Sequence, residues 1–168
     1  FLHWDKALSA YSRAHWLRGA ISQHFVEEPL LHQHGKDGVL YRFPKVHFRW
    51  HKGKGVIVGF QEGATFLLEN SLLHLPLHLG QEEVVVEEVY LESHRVSIAP
   101  SSSLQRYHIF SPWLAFNQDR YKSYKSMSPS QQGAERNRLA VSAILMAMRG
   151  LDVEVDWQLY ASVENTRI

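Results

Sequence analysis

The chain contains no cysteine, so it can build neither a disulfide framework nor a thiolate metal site, which excludes cysteine-ligated zinc fingers and thiol nucleophiles. It has no apolar run near the roughly 20 residues that a bilayer-spanning helix needs. Phe1 opens neither a basic stretch nor a signal-cleavage pattern. The reading is a cytoplasmic protein without a membrane partner. Net charge is nearly absent too: 18 Lys and Arg against 17 Asp and Glu leave +1. Any attraction for a polyanion must therefore come from local clustering and not from the chain as a whole.

Local clustering is present. Arg42, Lys45, His47, Arg49, His51, Lys52 and Lys54 gather positive charge, whereas Glu82, Glu83, Glu87, Glu88 and Glu92 gather negative charge. With 168 residues and 45% hydrophobic content, the chain can bury a core as one domain or as two small abutting ones. Eleven histidines are present; most of them, such as His74 and His78 in an apolar stretch, read as packing or solvated residues.

Asp5 can cap a first helix that carries Leu8, Tyr11, Leu17, Ile21 and Phe25 at near-helical spacing, stopped by Glu27, Glu28 and Pro29. Leu30 to Gly38 has loop punctuation, and Val39 to Trp50 is dense in aromatic and branched residues and reads as a strand, with Pro44 placing it at an edge or a bulge. Lys52-Gly53-Lys54-Gly55 supplies turn chemistry before a partner strand from Val56 to Phe60. Glu62 to Leu75 has the apolar content of a short helix, and Glu82 to Ile98 and Leu104 to Phe116 read as extended. Asn117 can cap a helix from Asp119 to Lys125; a clear helix follows from about Ser130 to Arg149, ended by Gly150, and then an alternating strand from Leu151 to Ala161. This order predicts an α+β fold of tandem ferredoxin-like (RRM-like) units, antiparallel sheets with helices on one face. An N-terminal domain over 1–100 and a C-terminal half over 104–168 are expected. The order lacks a first strand before Asp5 and last elements after Ile168, and it reads as part of something longer.

The sharpest chemical signal is His32-Gln33-His34, two imidazoles in one loop between the first helix and the basic, aromatic strand. An imidazole titrates near 6.5 and can act as base or acid at neutral pH, and RNA cleavage through the 2′-hydroxyl needs one of each. Arg42 and Lys45 are the nearest cations for the charge that develops on phosphorus, and Tyr41 could orient an oxygen. Two readings compete: a solvated histidine pair, and a metal site with His24 or His47 as third ligand. Elsewhere, Tyr41, Phe43, Phe48 and Trp50 suit either a base-stacking platform or a core. Gly55 to Gly63 lacks phosphate-loop spacing. Trp113 reads as a core anchor. Tyr121, Lys122, Tyr124 and Lys125 read as a solvated helix face that could touch RNA.

The succession Leu17-Arg18-Gly19, Leu31-His32-Gln33-His34, Tyr41-Arg42-Phe43-Pro44 and Val58-Gly59-Phe60-Gln61-Glu62-Gly63 resembles the N-terminal half of the CRISPR repeat-processing endoribonucleases. The similarity is to the Cas-six group of the RAMP superfamily, in its paired-histidine branch. Phe110 to Asn117 and the helix ending Ala143 to Gly150 are similar to that branch's C-terminal half. The resemblance covers residues 17 to 150. It implies metal-independent cleavage of repeat RNA without a cofactor, leaving a 2′,3′-cyclic phosphate and a 5′-hydroxyl, with His32 and His34 catalytic. Arg18, Tyr41, Arg42, Lys45, Lys52 and Lys54 are candidate RNA contacts. The implied partner is single-stranded or hairpin repeat RNA, with other proteins of a CRISPR effector or adaptation complex as a further class. The family's glycine-rich C-terminal loop has no counterpart after Leu159. The alternative is a catalytically silent RNA-binding module of a larger complex or fusion.

Overall fold

The computed structural model describes residues 10–32, 34–35, 38–39, 43–108, 116 and 118–164. The contacts divide the chain into a unit from Phe1 to Val96 and a second from Ser97 to Ile168. The first unit runs α1 (Ala10–His24), β1 (His34–Gly35), β2 (Gly38–Val39), β3 (Val46–His51), β4 (Lys54–Gly59), α2 (Glu62–Glu69), β5 (Pro76–Leu79) and β6 (Glu82–Val85). Its strands pair antiparallel as β1–β2, β3–β4 and β5–β6. The second unit contains α3 (Gln118–Lys125) and α4 (Pro129–Gly150). The architecture is α+β. No helix among the described residues is long and apolar enough to cross a membrane.

The core of the first unit follows from two periodicities. On α1, Leu17, Ala20 and Ile21 lie three and four residues apart and share one buried face, with Ile21 only 1% exposed. That face packs on β3 and β5, while α2 packs on β4. Val46 and Phe48 on β3, and Leu77 and Leu79 on β5, point inward at the period-two spacing of a half-buried strand. Phe25 closes the cluster edge-on against Phe66 of α2, with ring centroids 5.1 Å apart.

Several sequence expectations are corrected here. The Val39–Trp50 strand is two elements, because β3 starts only at Val46, after Pro44. The helix expected to reach Leu75 stops at Glu69, where the Asn70 side chain donates to the Phe66 carbonyl at 2.9 Å. The residues beyond it turn and enter β5. The long strand expected from Glu82 keeps a ladder only to Val85, and residues 87–108 are exposed without a ladder partner among the described residues. The tail after α4 alternates as expected, Leu151, Val153, Val155, Trp157, Leu159 and Ala161 being half-buried and the residues between them exposed, yet it has no ladder partner among the described residues. Alternation sets a strand's conformation, whereas a sheet also needs a neighbouring edge. The Asp5 and Asn117 caps, and Trp113, lie outside the described residues.

The helix at 129–150 has a reciprocal cap: the Ser128 hydroxyl accepts from Gln131 N–H and the Gln131 side chain accepts from Ser128 N–H, with Pro129 opening the first turn. Asn137 on the same helix accepts from the Val163 N–H at 2.8 Å and so ties the alternating tail to α4.

Candidate functional site

The way α1 ends sets the histidine segment. Beyond His24 the chain folds back, with Glu28 N–H donating to the Phe25 carbonyl at 3.0 Å and Leu31 N–H to the Glu28 carbonyl at 3.2 Å. The Glu28 carboxylate accepts from Leu30 N–H at 3.0 Å. Leu31 then plugs into the core at 2% exposure, which fixes the backbone immediately before His32. The His32 ring is half-buried, with Nε2 3.2 Å from the Phe25 carbonyl oxygen. A carbonyl can only accept, so Nε2 carries the hydrogen, and in the neutral ring Nδ1 is then the lone-pair nitrogen. The His34 backbone stands in β1 opposite Val39; its side chain lies outside the described residues.

The second feature is the β3–β4 hairpin. Lys52 (φ 48°) and Gly53 (φ 78°) form a two-residue turn with both centres left-handed, the turn whose twist matches the strands it joins. Cross-strand register sorts the side chains into two faces. Val46, Phe48 and Trp50 pair with Gly59, Ile57 and Gly55 and turn to the core, while His47, Arg49 and His51 pair with Val58, Val56 and Lys54 on the opposite, open face. Phe60 extends that face by donating its N–H to the Lys45 carbonyl at 2.8 Å.

The candidate residues separate accordingly. Lys52 and Lys54 are exposed at the hairpin tip, beside Arg49 and His51. Lys45 is partnered within the chain: its side chain is 13% exposed, it donates to the Gln61 side chain, and its Nζ lies 3.7 Å from the Glu62 carboxylate. Arg18 is half-buried on α1. Tyr41 and Arg42 lie outside the described residues. The aromatic residues weighed as a stacking platform divide as well, Phe48 facing the core and Phe43 joining His47 and Phe60 on the open side. That cluster was missed in the sequence, although the hairpin register sets Phe60 opposite Lys45. His24 and His47, weighed as third metal ligands, each place Nε2 on a backbone carbonyl, at 2.5 Å from Pro76 and 2.8 Å from Pro44. The α3 stripe is not one face: Tyr124 is buried against Phe116 at 4.4 Å, while Lys125 lies over the Tyr121 ring and Lys122 pairs with Asp119.

Burial holds the His47 imidazole below its ordinary 6.5, with Arg49 acting in the same direction and the bond to the Pro44 carbonyl opposing both. The unfolded chain protonates His47 more readily than the folded one does. The stability at stake is therefore present above 6.5 and lost as the pH falls through 6.5 toward the folded value. Melting temperature followed from pH 7.5 to 5 is expected to fall less steeply in His47→Phe than in wild type; parallel curves would assign the acid lability to other groups.

Two family models match the chain: the Cas6b N-terminal domain over residues 2–97 and the Cas6b C-terminal domain over residues 99–168. The chain belongs to the Cas6b family, whose role is the processing of CRISPR repeat RNA. A solved structure titled "Crystal structure of Cas6b" is similar with a TM-score of 0.81 at 19% identity, the match covering 90% of this chain and 70% of that one. At that identity the likeness is one of fold, consistent with tandem ferredoxin-like units. Comparison with curated proteins gives no match.

Proposed function

We propose that this chain cleaves repeat RNA by metal-independent transesterification, with His32 as general base and His34 as general acid. The observation that carries the assignment is the His32 ring, whose Nε2 is committed to the Phe25 carbonyl at 3.2 Å. Its Nδ1 is thereby the nitrogen able to accept a proton. In the proposed step Nδ1 takes the 2′-hydroxyl proton, the 2′ oxygen bonds to the adjacent phosphorus, and the bond from phosphorus to the 5′ oxygen breaks. His34 protonates the departing oxygen. The products are a 2′,3′-cyclic phosphate and a 5′-hydroxyl. Tyr41 and Arg42 are proposed to support the phosphorane, and Arg18, Lys52 and Lys54 to hold backbone phosphates. Lys45 would contribute by exchanging its Glu62 partner for a phosphate.

The test is incubation of the purified chain with labelled repeat RNA in excess EDTA. Cleavage at an undiminished rate, with a cyclic phosphate on the upstream product, is expected. Loss of cutting in chelator, restored by a single divalent ion, would reject imidazole-only chemistry. Tight RNA binding with no cutting under any condition would make the chain a silent binding module.

A further inference from the structure

The open face of the β3–β4 hairpin has two ends of different chemistry. At one end Phe43, His47 and Phe60 form an aromatic cluster, with centroids 4.8 Å apart for Phe43–His47, 5.5 Å for His47–Phe60 and 5.8 Å for Phe43–Phe60. Their planes meet at 46°, 79° and 56°. Two pairs are tilted and His47–Phe60 meets edge to face, so no ring is covered by another in a flat stack. All three residues are half-buried. At the other end Arg49, His51, Lys52 and Lys54 are exposed. Between the two ends Val56 and Val58 leave 38% and 39% of their surface open.

No carboxylate occurs between Asp37 and Glu62, and Glu62 itself faces Lys45 at 3.7 Å. The two strands of the face and their turn thus carry no acidic side chain of their own. From the Lys45 rung to the His51 rung the face spans about 20 Å at strand spacing, long enough for a short run of extended nucleotides.

We infer that this face is a single-strand RNA subsite, in which the Phe43–His47–Phe60 cluster stacks an unpaired base and the Arg49–Lys54 end holds the phosphates. Aromatic rings beside a cationic track form the general grammar of single-strand binding, because every base has a π-face. The inference rests on the repeat-RNA reading above but not on the histidine chemistry. It assigns the hairpin to an unpaired stretch of the substrate.

Binding of the full chain to a single-stranded adenosine oligonucleotide carrying 2-aminopurine, and to a blunt RNA duplex of equal length, tests it. Wild type is expected to prefer the single strand and to quench the 2-aminopurine. Phe43→Leu and Phe60→Leu should each weaken single-strand binding by about 10-fold and relieve the quench, with duplex affinity unmoved. Phe60→Tyr should restore both, which separates the ring's role from a packing defect. Arg49→Gln should flatten the slope of log affinity against log salt by about 0.7. Quenching in wild type is read without any substitution, so its absence overturns the subsite even if a leucine variant fails to fold. Single-strand binding that ignores both leucine changes also overturns it. Stacking without repeat-RNA cleavage would defeat the nuclease reading alone, and cleavage with ring-insensitive binding would defeat this inference alone.

Discussion

Replacing His32 or His34 by Ala is expected to slow repeat-RNA cleavage by about 10²-fold or more each, while RNA affinity stays within a few-fold. The asymmetry follows from the proposed roles: a proton taken or given in the transition state affects the rate, whereas ground-state binding would be left to the cations. The double variant should be little slower than the worse single one, because residues that act as one unit are not additive. His32 also fastens the chain to the Phe25 carbonyl, so truncation to Ala removes a tether as well as the proposed base. His32→Gln keeps a donor for that carbonyl but cannot accept a proton and become a cation. It should therefore fold like wild type and cut as poorly as His32→Ala. Single-turnover kinetics on labelled repeat RNA decide the matter. Wild-type rates in both alanine variants would remove these residues from the chemistry.

Gly63→Ala is expected to destabilise the first unit by about 3 kcal/mol, enough to lower its melting temperature by more than about 10 °C. At this position β4 hands over to α2 with backbone against backbone. A Cβ on Gly63 would run into the Lys45 carbonyl group, 2.8 Å from its carbon, and one on Gly59 would lie 2.6 Å from the Ala64 nitrogen. No flexible side chain is there to yield, so β3 and α2 would have to separate, and Val46 and Phe66 of the core with them. The comparison variant is Gly53→Asn at the hairpin tip, where φ is +78° and nothing lies within 4 Å of the added carbon. Asparagine tolerates that backbone region, so its cost should stay below about 1 kcal/mol. Thermal unfolding of the two variants side by side would sink the steric account if they behaved alike.

What was legible in the sequence is what local patterning controls. The helix at 129–150 was readable from its pattern and its closing Gly150, and the hairpin turn at Lys52–Gly53 from Lys-Gly turn chemistry, because both act over a few residues; the Ser128–Pro129 cap came only with the structure. The His32–His34 pair was legible by spacing and by its place in the succession of motifs. The role of His32 Nε2 was not, since its partner is a carbonyl seven residues back that only the fold-back after α1 presents. Alternation misled at 87–98 and 151–161 because pattern carries no information about whether a second edge is available. The charge cluster was visible as a list, but only register shows that Lys45 is held by Gln61 and Glu62 while Arg49, His51 and Lys54 share the open face. Glycines 59 and 63 were quoted as part of a motif without a cause; the cause is contact between two backbones far closer in space than any side chain allows.

Every ladder among the described residues joins strands consecutive in the chain. That sets an order of assembly. Closing a hairpin across a two-residue turn costs little loop entropy and takes on the order of microseconds, whereas docking α1 on β3 and β5 must bring together segments far apart in sequence and waits on collapse. The three two-stranded ribbons, like the turns of α1, can thus each form locally; what comes later is the recruitment of α1 to β3 and β5. Slow steps in refolding should lie in that recruitment and leave the cationic ribbon itself unaffected.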